Sequence, residues 1–150
     1  MSQSLVKMYA HLIFSTKNRV HCLHSDIQPE LYSYVGGILN NLKCYPVKIG
    51  GHTNHIHILC LQAKNITTIE LLSEIKINSS KWIKTKDPIF KNFHWQDGYG
   101  AFSVSPSKVE IVTKYIENQK EHHKIVTYED EVMAFLKEYQ IEYDERYLWD

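Results

Sequence analysis

Cysteine is scarce in this sequence, and long apolar runs are missing from it. The 150 residues include three cysteines without paired spacing, which argues against a disulfide framework and for a reducing compartment. No stretch approaches the ~18 continuous apolar residues that a membrane span requires, and the first residues do not have the pattern of a signal peptide. These observations predict a cytoplasmic protein without a membrane segment.

A net charge is also missing, because 17 basic residues offset 17 acidic ones. The balance is uneven along the chain, however. Residues 127–150 hold eight acidic and two basic side chains, which leaves 15 basic and 9 acidic ones in residues 1–126. A basic body is typical of proteins that bind a phosphate backbone, although lysines scattered over a solvated surface give the same count.

The length and the 43% hydrophobic content predict one globular domain over 1–150. Its body would comprise residues 6–126, followed by an acidic helix and an aromatic tail over 127–150. Because this tail is rich in tyrosine and tryptophan, we expect it to dock on its own surface or on a partner.

Hydrophobic periodicity and turn residues predict an alternation of strands and helices. Residues 6–14 read as a central strand that contains His11 as a core histidine, and Asp97-Gly98 reads as the turn of a hairpin. The predicted elements, in order, are a strand over 6–14, a helix after Ser25 or Asp26, a strand from Cys44 to Gly50-Gly51, a strand from His55, a helix from Thr67 to Asp87-Pro88, hairpin strands over 93–96 and 99–104, a helix over 105–123, and a helix capped by Thr127 and Asp130. This order predicts an α+β fold of the ferredoxin-like, split βαβ type, with helices packed on a central antiparallel sheet.

Two histidines stand two residues apart at the start of the apolar run 55–61. Alternate side chains of a strand share a face, so His55 and His57 should point the same way, together with Leu59. This is metal-ligand spacing, although strand histidines bonded to the backbone or to water give the same pattern. We expect both imidazoles at the polar edge of the sheet and not in its core.

The helix predicted over 105–123 carries polar groups along the flank of its core stripe. Ser105 and Pro106 are helix-start signals, and the apolar side chains that follow recur at helical spacing. At about 100° per residue, four polar side chains would lie together beside this stripe: Lys108, Tyr115, Gln119 and His122. A tyrosine in such a place can equally be a core residue with a hydrogen-bonded hydroxyl.

With both segments in hand, the sequence resembles the single-tyrosine HUH transposases of the IS200 type. The resemblance is carried by His55-Ile56-His57 and by Tyr115-Ile116-Glu117-Asn118-Gln119, with the hairpin region 95–105 before the tyrosine. The order and spacing of elements match over 7–123. The fold expected from the resemblance is that of the HUH endonucleases.

The resemblance implies that Tyr115 cuts single-stranded DNA through a 5′-phosphotyrosine intermediate. It also implies that His55, His57 and Gln119 bind a divalent metal, Mg²⁺ or Mn²⁺. Such a neutral ligand shell would leave the charge of the metal free to act on a phosphate oxygen. We leave His122 and His123 outside the metal set, and their roles open.

The implied partner is DNA that forms hairpins at the ends of a mobile element. Lys17, Arg19 and Lys108 are candidate phosphate contacts. Lys17 and Arg19 fit a solvated turn equally well, whereas a lysine at a helix start, such as Lys108, is usually just solvated. Further basic and aromatic candidates are Lys76, Lys81, Trp82 and Tyr99.

The resemblance further implies a homodimer, which we expect to join its sheets edge to edge. In this family the tyrosine helix can serve the metal site of the opposite subunit. Mixing a Tyr115→Phe protein with a His57→Ala protein would then restore activity.

Three rival functions share part of this pattern. Rolling-circle initiators and relaxases use the same histidine and tyrosine chemistry, but they usually carry further domains for which 150 residues leave no room. A non-catalytic DNA-binding module of this fold is disfavoured by the presence of all four candidate site residues. A metalloenzyme of the cupin type is disfavoured because no acidic residue follows His57 in 58–62.

Overall fold

A four-stranded antiparallel sheet lies at the centre of the computed structural model, which describes residues 2–150. The strands follow the order β2-β3-β1-β4, and their bounds are Met8–Ser15 (β1), Tyr45–His52 (β2), His55–Gln62 (β3) and Gly100–Val104 (β4). Strand β3 lies between β1 and β2 and runs antiparallel to both. This is the split βαβ arrangement, so the predicted ferredoxin-like α+β fold is confirmed.

Five α-helices cover the two faces of this sheet. They are Gln28–Asn41 (α1), Thr68–Lys84 (α2), Val109–Glu117 (α3), Gln119–His122 (α4) and Tyr128–Glu138 (α5). Helices α1 and α2 pack on the face that carries Leu12, Phe14 and Ile56, where the largest apolar core lies. Helices α3 and α5 pack on the opposite face, against Ile13, Leu59 and their neighbours. The second face also bears the candidate site.

Helix α2 differs at one position from the buried stripe that its sequence predicts, which is Ile69, Leu72, Ile75, Ser79 and Trp82 or Ile83. Its N-cap is Thr67, whose side chain accepts a hydrogen bond from the Glu70 amide, as expected for a capping threonine. Ile69, however, is exposed, and Leu71 is buried instead. Leu71 therefore begins the buried face in place of Ile69, and Leu72, Ile75 and Ser79 stay in it as predicted.

The predicted hairpin around Asp97-Gly98 is wrong. Strand β4 pairs with β1, through Tyr9 opposite Val104 and Ile13 opposite Gly100, while Trp95 forms an isolated bridge with Thr16 on the same edge of β1. Residues 95 and 100–104 therefore follow one edge in sequence, with a loop at 96–99 that bulges away. The turn-like composition of Asp97-Gly98 belongs to this bulge and not to a hairpin. The two segments pair with β1 because β1 offers a longer edge than the segments offer each other.

The single helix predicted over 105–123 is divided. A 3₁₀ turn at Pro106–Lys108 leads into α3, and Asn118, with φ −93° and ψ 16°, separates α3 from α4. Asparagine is a poor helix former because its side chain competes for backbone hydrogen bonds. The break turns Gln119 toward the sheet, where it is 1% exposed.

The C-terminal segment folds back on the body, as predicted for its aromatic tail. Thr127 caps α5 by accepting a hydrogen bond from the Asp130 amide. The Trp149 ring lies 6.5 Å from the ring of Tyr128, and the carbonyl of Asp150 accepts from the Gly98 amide at 2.8 Å. Among residues 2–150 no helix is long and apolar enough to cross a membrane. All three cysteines are free.

Candidate active site

The two histidines of β3 lie beneath the helices and not at a polar edge. His55 and His57 are both 0% exposed, so the expected edge position is wrong. The physical reason is that α4 and α5 cover this end of the sheet, which a strand pattern alone does not reveal. Their pairing on one face is confirmed, since both imidazoles face these helices while Ile56 packs on the other side.

Gln119 and His55 are in contact through two atoms that have no hydrogen between them. The Nδ1 atom of His55 lies 2.8 Å from Asn54 Oδ1, and its Nε2 atom lies 2.8 Å from Gln119 Oε1. The Gln119 amide nitrogen donates to Glu131 Oε2 at 3.1 Å, which sets the orientation of that amide. Burial, then the neighbouring His57, lower the pKa of His55 well below its ordinary value, so its neutral imidazole has one hydrogen for two acceptors.

A cation bound by both His55 Nε2 and Gln119 Oε1 would satisfy the lone pairs of the two atoms, so these residues fit a metal-binding role. An imidazole whose Nδ1–H is held by an oxygen and whose Nε2 faces other donor atoms is the usual arrangement of a metal-bound histidine. Adjacent ligands of an octahedral ion at 2.1 Å are separated by about 3.0 Å. The separations measured here are close to that spacing.

Tyr115 is held beside the histidines by a close approach of α3 to β2. A side chain at Gly50 would meet the Ile116 carbonyl oxygen at 2.8 Å, so only glycine lets the helix lie this near. The Tyr115 ring is 5.7 Å from the ring of His57, and its hydroxyl donates to Glu131 Oε2. Burial, together with the Glu131 charge, raises the pKa of Tyr115 above its ordinary value.

Glu131 of α5 is a site residue that the sequence reasoning missed. It is 3% exposed, and its Oε1 atom lies 3.0 Å from His57 Nε2, 3.3 Å from His123 Nε2 and 3.6 Å from His55 Nε2. Burial acts to raise the pKa of Glu131, but hydrogen bonds from His123 and His57 and the attraction of the histidines outweigh it and hold that pKa far below the usual range. A signal was available, because Glu131 interrupts the apolar stripe of Tyr128, Val132 and Phe135.

Three further histidines surround this cluster. His11 is 2% exposed and its Nε2 lies 2.8 Å from His57 Nδ1, so it is a satisfied core histidine, as predicted, and it also supports a site residue. His123 Nε2 lies 2.9 Å from Gln119 Oε1. His122 Nε2 lies 3.2 Å from Glu131 Oε2 and 3.5 Å from the Tyr115 hydroxyl. Donor atoms of His55, His57, His123 and Glu131 all lie within 4.8 Å of one another.

The predicted DNA contacts lie outside this cluster. Lys17 is exposed and sits 3.8 Å from Asp97. Arg19 contacts the C-terminal tail, since its guanidinium lies 5.2 Å from the Trp149 ring. Lys108 is exposed at the start of α3. Lys76 is a structural residue, because its ammonium group donates to the carbonyls of residues 96, 97 and 98 at 2.6–3.1 Å.

Two solved structures share the fold of this chain. No curated protein matches the sequence. Among solved structures, a protein of Deinococcus radiodurans R1 solved as a candidate transposase has a TM-score of 0.62 at 21% identity, over 79% of this chain and 98% of the other. A REP-associated tyrosine transposase bound to a REP hairpin has a TM-score of 0.61 at 16% identity, over 84% of this chain and 76% of the other. At these identities the two structures establish a shared fold.

A family model described as "Transposase IS200 like" matches residues 4–119. This segment contains the four strands and ends at Gln119, so α5 and its Glu131 lie beyond it. Since the match covers most of the chain and includes the histidine pair and the tyrosine, the chain belongs to the IS200-like family of DNA transposases.

Proposed function

We propose that this transposase cuts and rejoins single-stranded DNA through a covalent bond between Tyr115 and a 5′ phosphate. The observation that carries the proposal is the position of the Tyr115 hydroxyl. It lies in the same cluster as His55, His57 and Gln119 and donates to the carboxylate of Glu131.

In the first step the Tyr115 oxygen would bond to phosphorus while the bond to the 3′ oxygen breaks. The phosphodiester energy is then kept in the phosphotyrosine bond, and the free 3′ hydroxyl can reverse the reaction on the same or another strand. The proton of the phenol must leave as the bond forms. Glu131 Oε2, which already accepts the hydrogen bond from Tyr115, is the nearest acceptor.

We assign the divalent cation to His55, His57 and Gln119. When bound, the cation would stabilise charge on the phosphate oxygens and on the leaving 3′ oxygen. Mixed nitrogen and oxygen donors are compatible with Mg²⁺ or Mn²⁺, whereas two imidazoles also favour Zn²⁺ on affinity alone. Burial and the charge of Glu131 raise the pKa of Tyr115, and positive charge from a bound cation would lower that pKa by favouring the phenolate.

The proposed substrate is a DNA strand that carries a folded hairpin, as at the ends of a mobile element. The REP-associated tyrosine transposase was solved with such a hairpin, which supports this class of ligand. A cleft of about 430 Å³ between α3 and α5 is lined by Tyr115, His122 and Phe135, among others. It offers an unpaired strand access to the nucleophile, and Lys17, Arg19 and Lys108 remain candidate phosphate contacts outside it.

We further propose that each chain completes its own active site. The sequence led us to expect a tyrosine shared between subunits and sheets joined edge to edge. Within one chain, however, Tyr115 already contacts Glu131, strand β2 carries Pro46 and a register shift, and Tyr139 donates to the Ser103 carbonyl on β4. The irregularity of β2 and the contact made by β4 leave both edge strands poorly suited to pairing with a second sheet. A homodimer would therefore form through another surface.

The test is a nicking assay on labelled single strands taken from the DNA on both sides of the gene, chosen to include any short palindrome found there. The wild-type protein with Mn²⁺ should release a labelled 3′-hydroxyl fragment and retain the other fragment on Tyr115, located by mass spectrometry. An adduct on Tyr99 or Tyr128 would contradict the assignment of the nucleophile. Tight hairpin binding without any adduct would identify a non-catalytic DNA-binding module instead.

A further inference from the structure

We propose that Glu131 is a ligand of the divalent cation, supplied by a helix outside the segment that matches the transposase family. The family model ends at residue 119, and α5 begins at Tyr128. This inference deepens the proposed function, and it rests on that proposal for the presence of a divalent cation. It adds an anionic ligand to a site otherwise built from neutral side chains.

The first argument is the convergence of donor atoms on Glu131. Its Oε1 atom faces the Nε2 atoms of His57, His123 and His55 at 3.0, 3.3 and 3.6 Å. These separations lie near the roughly 3.0 Å between adjacent ligands of an octahedral ion. Oxygen Oε2 points the other way, toward Tyr115 and Gln119. One carboxylate thus reaches both the metal donors and the nucleophile.

The second argument is the set of donor atoms around His123. Its Nδ1 atom lies 2.7 Å from the carbonyl oxygen of Val126, an acceptor whose orientation the backbone sets. Its Nε2 atom faces Gln119 Oε1 at 2.9 Å and Glu131 Oε1 at 3.3 Å. Gln119 Oε1 also lies 2.8 Å from His55 Nε2. A cation placed among these atoms would be bound by Glu131 together with the histidines and Gln119.

The third argument is the buried charge. Glu131 is 3% exposed, and no lysine or arginine pairs with it among the residues that the structure describes. A buried carboxylate is costly unless it is paired or bound to a metal, and the partners of Glu131 are the same histidines that could bind one. A divalent cation at this position would neutralise the carboxylate. Metal binding would then also hold α5 against the sheet.

The experiment measures Mn²⁺ binding to the full chain without DNA, from the loss of the free-ion EPR signal. Glu131→Gln keeps the shape of the side chain and removes its charge, and we expect it to weaken Mn²⁺ binding at least tenfold. Glu138→Gln removes a charge from an exposed position of the same helix, so it should leave the affinity unchanged. Hydrogen exchange of α5 amides should slow on addition of Mn²⁺ in the wild type and not in Glu131→Gln.

Equal or tighter Mn²⁺ binding by Glu131→Gln would overturn the inference and identify the carboxylate as a cover that the metal displaces. Circular dichroism confirms that the variant is folded, and Glu131→Asp, which keeps the charge on a shorter side chain, provides a second comparison with intermediate affinity expected. The proposed function is tested separately, by the nicking assay. Glu131-dependent Mn²⁺ binding without nicking would reject the function alone, and nicking with unchanged metal affinity in Glu131→Gln would reject the inference alone.

Discussion

At the scale of single residues, the properties of Tyr115, His55 and Gln119 depend on the groups beside them. Burial and the nearby charge of Glu131 raise the pKa of Tyr115, the proposed nucleophile, so its hydroxyl retains its proton. His55 and Gln119 face each other through atoms that both carry lone pairs. A bound cation would favour the phenolate of Tyr115 and would also satisfy the lone pairs of His55 and Gln119. Substitutions at these residues should therefore affect both metal binding and DNA cleavage.

The first prediction concerns Tyr115. Tyr115→Phe should abolish the covalent adduct, because the attacking oxygen is removed, while hairpin binding persists. The loss of one hydrogen bond to Glu131 should change the free energy of unfolding by only about 1 kcal/mol. Nicking, adduct mass and hairpin affinity are measured together. Tyr99→Phe, at an exposed position, serves as the control and should cut normally.

A second prediction concerns His57 and revises the small folding cost expected from an edge position. Since His57 is 0% exposed, His57→Ala should lower the metal-free stability by roughly 2 to 4 kcal/mol, through a cavity and a lost hydrogen bond to Glu131. The metal response distinguishes a ligand from a core residue. Mn²⁺ at a hundred times its dissociation constant should stabilise the wild type by about 2.7 kcal/mol and His57→Ala much less.

Denaturant unfolding with and without Mn²⁺ measures both quantities. His94→Ala, at an exposed position, should retain the full response to the metal. An undiminished metal response in His57→Ala would remove His57 from the ligand set.

At the scale of elements, the approach of α3 to β2 determines where Tyr115 lies. The two meet at Gly50, where a methyl group would come within 2.8 Å of the Ile116 carbonyl oxygen and side chain. A backbone atom cannot move aside as a flexible side chain can. The helix as a whole would have to shift, and Tyr115 would shift with it.

The third prediction follows from this contact. Gly50→Ala should destabilise the protein by about 1 to 3 kcal/mol, as overpacking usually does, and should slow nicking by displacing Tyr115. Gly37→Ala is the matched control, because nothing lies within 4 Å of a methyl group there and α1 should gain about 0.5 to 1 kcal/mol. Thermal melts and nicking rates are compared. Normal nicking by Gly50→Ala would show that the helix has room to adjust.

A fourth prediction concerns the bulge between Trp95 and β4. Lys76→Met removes the ammonium group that donates to three carbonyls of this loop, so it should cost about 1 to 3 kcal/mol of stability. Lys81→Met, on an exposed part of α2, should cost little. If Lys76 instead contacted DNA, its loss would reduce the salt dependence of hairpin binding without affecting stability.

At the scale of the whole molecule, the site is assembled from segments that are far apart in the chain. The histidines come from β3, Tyr115 from α3 and Glu131 from α5, which packs back over the sheet. The tail continues this packing through Trp149 and Asp150. A site assembled in this way does not require a second subunit.

The fifth prediction tests this directly. A mixture of Tyr115→Phe and His57→Ala proteins should stay at background activity, because every chain would carry a broken site of its own. Native mass spectrometry establishes whether mixed oligomers form. Recovered nicking in a confirmed mixed dimer would restore the shared arrangement that the family resemblance implied.

The sequence alone determined the fold class, the pairing of His55 and His57 on one strand face, and the placement of Tyr115 and Gln119 in one segment. These features depend on local periodicity, on caps and on spacing, which a linear pattern records. The same local reasoning placed the start of α5 and its cap at Thr127.

Only the tertiary structure decided how deeply the histidines are buried, which edge β4 joins and what Glu131 contacts. The hairpin prediction failed because a strand pairs with the best available edge, and in this protein that edge belongs to β1, some 90 residues away in sequence. Glu131 stayed unrecognised because its partners come from β3, α3 and α4. Burial and metal-donor geometry are properties of packed elements, so a residue distant in the chain completes a site that the local pattern had only begun to describe.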